Sequence, residues 1–202
     1  MNVSHCVRCA TFPCTDVQHA GYVVPDLDVR PERIAIILVS EAAPVAPADF
    51  YYAGGDALFA RTTVQAFNDA GAQVATIQEI VALGVYLTAA VKCAKTGYGI
   101  QTDTVKTCSL LLEQELALFS NAKALLLMGD VAIKALNAIA QRRGEARVIP
   151  ATPTYKLRGQ TFHYQGKRVF PSYLQAGPSF FIEKRKRKMI AEDIAAALQL
   201  IR

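Results

Sequence analysis

Three apolar runs, Ile34 to Val39, Val85 to Val91 and Ala124 to Met128, constrain this chain more than any other feature. Runs of this kind, bounded by turn residues, mark strands buried on both faces, as in parallel sheets. Between and after them the apolar residues recur at helical spacing. One such segment runs from about Asp56 to Ala70, with Gly71 as its C-cap. A second runs from Thr102, an N-cap residue, to Phe119, and a third follows Gly129-Asp130 to about Arg142. A last helix is expected from Ser179 to Ile201. Gln73 to Ile77 reads as a further short strand, and the turn-rich stretch from Arg143 to Lys167 as a hairpin. Strand–helix alternation of this kind predicts a three-layer α/β/α sandwich with a mainly parallel, four-stranded central sheet. The 202 residues are expected to form one domain, with residues 1–33 as an irregular cysteine-bearing arm packed on it.

That arm carries CVRC, with Cys6 and Cys9, while Cys93 closes VKC and Cys108 lies in the next helical segment. Four soft ligands from separate segments argue for a tetra-thiolate site, either an iron–sulfur cluster or a zinc ion. Cys14 is a fifth thiol, and spacing alone leaves open which four serve. No secretory signal precedes these cysteines, so a reducing cytoplasm is the expected compartment. No stretch approaches the roughly 20 apolar residues that a membrane-spanning helix needs. The net charge of +5 leans towards a polyanionic partner.

In open parallel sheets the ligand crevice lies beyond the carboxyl ends of the strands. Ser40-Glu41-Ala42-Ala43-Pro44, Lys92-Cys93, Gly129-Asp130 and Pro171-Ser172-Tyr173 all fall there. Glu41 directly follows a buried strand, which suits its carboxylate to position or activate a water. The other reading makes it a turn cap or the partner of a lysine.

Taken together, these segments resemble the uracil-DNA glycosylase superfamily, most closely its iron–sulfur class, over nearly the whole chain. ILVSEAAP looks like that class's first motif, a strand followed by G-E-x-P-G. DALFARTTVQAFNDAG is similar to its P-F-V-G-x-x-G segment with the helix after it, and LTAAVKC to T-N-V-V-K-C. LLLMGDVAIKAL matches the next strand–helix unit, and YKLRGQTFHYQGKRVFPSYL looks like the stretch that ends in H-P-S-x-L-L-R. The resemblance implies a DNA glycosylase of base excision repair, hydrolysing the N-glycosidic bond of uracil or a related base flipped out of DNA. It implies a structural [4Fe–4S] cluster on Cys6, Cys9, Cys93 and Cys108, with zinc as the alternative occupant, and a monomer acting on DNA without a membrane. Phe59 takes the place of the stacking phenylalanine. The first motif departs from the pattern at Ser40, which replaces its glycine, and by an extra residue between Glu41 and Pro44. Two polar groups are also replaced: Ala89 stands where the uracil-reading asparagine falls, and Phe170 where the histidine of H-P-S falls.

With those two groups replaced, Glu41 and then Asp49 are the catalytic candidates for the water or the cationic sugar. Tyr51 and Tyr52 can supply an aromatic wall or a hydroxyl, and Ser172 and Tyr173 are placed to donate to a leaving base. Lys184, Arg185, Lys186, Arg187 and Lys188 open the last helix, whose buried stripe is read as Ile182, Met189-Ile190, Ile194, Leu198 and Ile201. Projecting outward, those cations suit phosphate, with Leu174 and Gln175 as wedge candidates and Lys156, Arg158, Lys167 and Arg168 extending the surface. The competing readings are a non-catalytic iron–sulfur protein that binds nucleic acid on the same scaffold, and a nucleotide-binding protein using Gly97-Tyr98-Gly99 as a phosphate loop.

Overall fold

The computed structural model describes residues 1–97 and 99–201. Tyr98, at the centre of the Gly97-Tyr98-Gly99 segment, lies outside them.

The apolar runs form the expected inner strands: β2 (Ile36–Ala43), β3 (Val85–Lys95) and β4 (Ala124–Met128). With β6 (Lys167–Ser172) they make a parallel core in the order β3-β2-β4-β6. The sheet has six strands rather than four. β1 (Val17–Gln18) pairs antiparallel with Lys95 and Ala94 at one edge, and β5 (Phe162–Tyr164) pairs antiparallel with β6 at the other. Two or three residues are too few to show a period of two, so neither edge strand carries a sequence signal of its own.

Alternation along the inner strands divides the core into two layers. Ile37, Val39 and Tyr86 face α3 (Thr102–Ala117), α4 (Asp130–Arg142) and the N-terminal arm. Ile36, Leu38 and Leu87 face α1 (Leu58–Asp69), α2 (Ile77–Ala82) and the C-terminal helices. A short α5 (Thr154–Leu157) adds Leu157 to the first layer. Helices on both faces give the α/β/α sandwich.

Three local expectations are corrected. Gln73 to Ile77 is no strand, because Thr76 caps α2: its hydroxyl accepts the Glu79 N–H at 3.2 Å, while the Glu79 carboxylate accepts the Ala75 N–H at 2.7 Å. This Thr-x-x-Glu pattern is a helix-start signal that outweighs the β-branched residues beside it. The C-terminal helix is split into α6 (Ser179–Ile182) and α7 (Lys184–Leu198) at Glu183, whose ψ of 71° leaves the helical region. Ile182 therefore leaves the buried stripe and is 78% exposed.

Candidate active site

A cleft of about 850 Å3 opens at the carboxyl ends of the parallel strands. Its walls come from the end of β2, the start of α1, the segment at the end of β3 and the loop after β6. Glu41, Asp49, Phe59 and Leu174 all line it. A smaller hollow of about 320 Å3, walled by Glu113, Arg143 and Tyr164, lies at the opposite end of the sheet.

Glu41 lies on β2 itself, since pairing continues to Ala43. Its carboxylate rests against Gly129, which opens α4 with a φ of +106°. A Cβ at residue 129 would lie 2.5 Å from Glu41 Oε1 and 2.6 Å from its Cγ, so only glycine admits this approach. Oε1 also faces the Val131 N–H at 3.4 Å, at the positive end of α4. Oε2 has no hydrogen-bond partner among the described residues. Asp49 accepts the Leu58 N–H at 3.2 Å and so satisfies one of the free amides of α1. Phe59 packs on the buried Tyr51 ring, 5.5 Å between centroids, and turns towards the cleft.

Other expected site residues are held elsewhere. The Tyr52 hydroxyl accepts the Leu87 N–H and donates to the Leu87 carbonyl, each at 3.0 Å, along the edge of β3 that has no strand beside it there. Ser172 is fully buried and donates to Asp193, so it faces α7 and not the cleft. Burial raises the Asp193 pKa, although Arg158 and Ser172 pull the other way. Gln175 is buried and donates to the Tyr51 hydroxyl at 2.8 Å, which anchors the loop after β6 and takes Gln175 out of reach of a base stack. Ala89 is buried among the apolar residues of the α1–α7 layer, and Phe170 lies under the Arg168 guanidinium at 4.9 Å.

The basic run has two parts. Lys186 pairs with Glu183 at 2.8 Å and Arg187 with Asp69. Lys184, Arg185 and Lys188 are exposed and have no ion-pair partner among the described residues. Arg158 is committed to Asp193 and Glu192, and Arg168 to the carbonyls of Phe162 and Gln160.

Cys93 and Cys108 are buried, and Cys9 and Cys14 pack half-buried against the same core layer. Burial pushes the Cys93 thiol up to about 12, and Cys108, Cys9 and Cys14 lie near enough to add to the shift. Cys6 is exposed, its Sγ 3.5 Å from the Asn2 carbonyl. Among the described residues no three His, Cys, Asp or Glu side chains converge tightly enough for a single metal ion.

Beside the thiols, β3 breaks step with β2: the register passes from Ala42–Val91 directly to Ala43–Ala94. Lys92 and Cys93 occupy this irregularity. The Lys92 ammonium turns into the protein and bonds Thr88 Oγ1 at 2.7 Å, the Ala89 carbonyl at 2.6 Å and the Glu115 carboxylate. Tyr86 and Thr88 donate to the other Glu115 oxygen. Lys92, expected at the crevice, is thus sealed in the core and off the cleft wall. Neither its network nor Lys95, which does line the cleft, had a signal in the sequence, where a lysine ordinarily reads as solvated surface.

No helix among the described residues is long and apolar enough to cross a membrane. A search of curated proteins finds no match to the chain. The family profile described as the uracil DNA glycosylase superfamily matches residues 30–198, from the end of the arm through α7. Members of that superfamily are generally DNA glycosylases that hydrolyse the bond between base and sugar, and this chain belongs to the superfamily.

Proposed function

We propose that the protein excises a deaminated or damaged base, uracil or a relative of it, from DNA. The observation that carries this reading is that Glu41 and Phe59 face one cleft at the carboxyl ends of the parallel strands. A base flipped from the stack enters the cleft against Phe59, at a cost of a few kcal/mol for unstacking that binding must supply. The free Oε2 of Glu41 positions the attacking water or stabilises the cationic sugar, and Asp49 is the second carboxylate within the cleft. Lys184, Arg185 and Lys188 supply phosphate contacts, and Leu174, half-buried at the cleft wall, is the wedge residue of the loop after β6.

A [4Fe–4S] cluster fits the chemistry of the donor set, because four thiols from the arm, β3 and α3 pack on one core layer, with Cys9, Cys14 and Cys108 near Cys93. Their placement favours Cys9, Cys14, Cys93 and Cys108 as the ligands, with Cys14 in place of the exposed Cys6. Bound there, the cluster ties the arm to the body of the protein and takes no part in the excision step.

The competing reading, a non-catalytic nucleic-acid-binding protein, rests on Ala89 and Phe170, which present no polar group to a base. Excision assays on oligonucleotides carrying uracil, hypoxanthine or xanthine separate the two. Release that Glu41→Ala abolishes supports the glycosylase. Binding without release from any of them makes Glu41 a structural anchor for α4.

A further inference from the structure

Among the described residues three charged side chains line the cleft: Glu41, Asp49 and Lys95. The two carboxylates each accept a backbone N–H, at Val131 and Leu58. Lys95 makes no ion pair, and its side chain has no hydrogen bond, among the described residues. Its backbone is fixed, since Lys95 ends β3 opposite Val17 of β1, one strand away from the end of β2 that carries Glu41. A fixed backbone with an uncommitted ammonium, half-buried in an otherwise mostly apolar wall, leaves a cation available to something that enters the cleft.

Excision as proposed above makes a specific demand on such a group. When the bond between C1′ and the base nitrogen breaks, the bonding electron pair leaves with the base. The sugar becomes an oxocarbenium ion and the base an anion. Water then adds to C1′, its proton passing to Glu41 and on to solvent. Glu41 and Asp49 suit the cationic sugar and would repel the departing base. A preorganised charge of opposite sign in a water-poor cleft is among the largest single contributions to catalysis. Among the described residues Lys95 is the one cationic side chain on the cleft wall.

We infer that Lys95 is a catalytic residue whose ammonium stabilises the departing base anion. This rests on the glycosylase reading and deepens it. No proton transfer is required, because the ammonium acts through its charge. Bases whose anions delocalise charge onto carbonyl oxygens, such as uracil and xanthine, are the class this arrangement favours.

The test is single-turnover excision from duplexes carrying uracil or 5-fluorouracil, whose fluorine makes it the better leaving group, with Lys95→Met, Lys95→Arg and the unaltered protein. Lys95→Met is expected to slow uracil release by about 100-fold and 5-fluorouracil release far less, with DNA affinity little changed. Lys95→Arg should recover much of the loss. An equal loss on both bases, or a loss confined to affinity and its salt dependence, would overturn the assignment and make Lys95 a phosphate contact. No excision by the unaltered protein would overturn the glycosylase reading and this inference with it. Excision unaffected by Lys95→Met would overturn this inference alone.

Discussion

Lys92 and Glu115 are both fully buried and form an ion pair between β3 and α3, at the point where β3 slips against β2. Desolvating two charges is offset only while every partner is present. Tyr86, Thr88 and the Ala89 carbonyl complete the set. Glu115→Gln or Lys92→Met alone should cost about 3–5 kcal/mol in urea denaturation, by leaving the partner charge buried and unpaired. Replacing both by apolar residues of similar volume should cost much less than the two single changes summed. Additive losses would show that the pair is not coupled.

The contact between Glu41 and Gly129 makes a second case. Gly129→Ala would place a methyl group 2.5 Å from the carboxylate and force a side chain into positive φ. A loss of about 1–3 kcal/mol is expected, together with a fall in excision that tracks displacement of Glu41. Glu41→Ala in the same protein should recover part of the stability and none of the activity. Thermal unfolding and excision rates measured on the two variants and their double mutant check both parts.

Cys14 and Cys6 give the proposed cluster a direct test. Iron and labile sulfide should be lost from Cys14→Ser and retained in Cys6→Ser, measured on protein purified without oxygen. The reverse result would restore CVRC as the ligand pair and require the first turn of the arm to move inward.

Acid should weaken the fold through three carboxylates. The Arg187 guanidinium holds Asp69 below its ordinary 3.8. Burial pushes Asp16 and Glu113 up, but hydrogen bonds from Gln101 and Thr104 to the first, and from Arg142 and Arg143 to the second, more than offset this, and both lie below 3.8 and 4.5 respectively. Carboxylates with depressed values stabilise the fold above their unfolded pKa, and that stability is lost as pH falls through the folded value. The destabilisation caused by Asp16→Ala should therefore be larger at pH 7 than at pH 3. Asp193, raised by burial, acts in the opposite sense.

The uncommitted cations can be read from salt. Lys184→Ala and Arg185→Ala should each lower the slope of log affinity against log salt by nearly one on duplex DNA. Lys186→Ala should change it less, because Glu183 already neutralises that ammonium.

The inner strands were legible because burial on both faces writes itself as an apolar run, and Glu41 was legible because it follows one, although β2 continues past it to Ala43. Phe59 and Leu174 both line the cleft, as their positions after β2 and β6 imply. What escaped the sequence were residues whose roles are set by partners far along the chain. Ser172 turns inward because Asp193 meets it from α7, and Tyr52 because Leu87 lies opposite. Lys92 and Lys95 are three residues apart on one strand, yet one is sealed in the core and the other lines the cleft. A slip in register separates them, and no local pattern announces it.

The Tyr52 hydroxyl has a further consequence. Beyond the two residues paired with β1, the outer side of β3 has no neighbouring strand among the described residues, and such a row of amides and carbonyls invites a strand from another molecule. A single phenol satisfies both groups of Leu87, and the Val23 N–H takes the Lys92 carbonyl at 2.8 Å. The sheet is thus guarded along its longest strand by side chain and loop, and a foreign strand would have to displace both before it could extend the ladder.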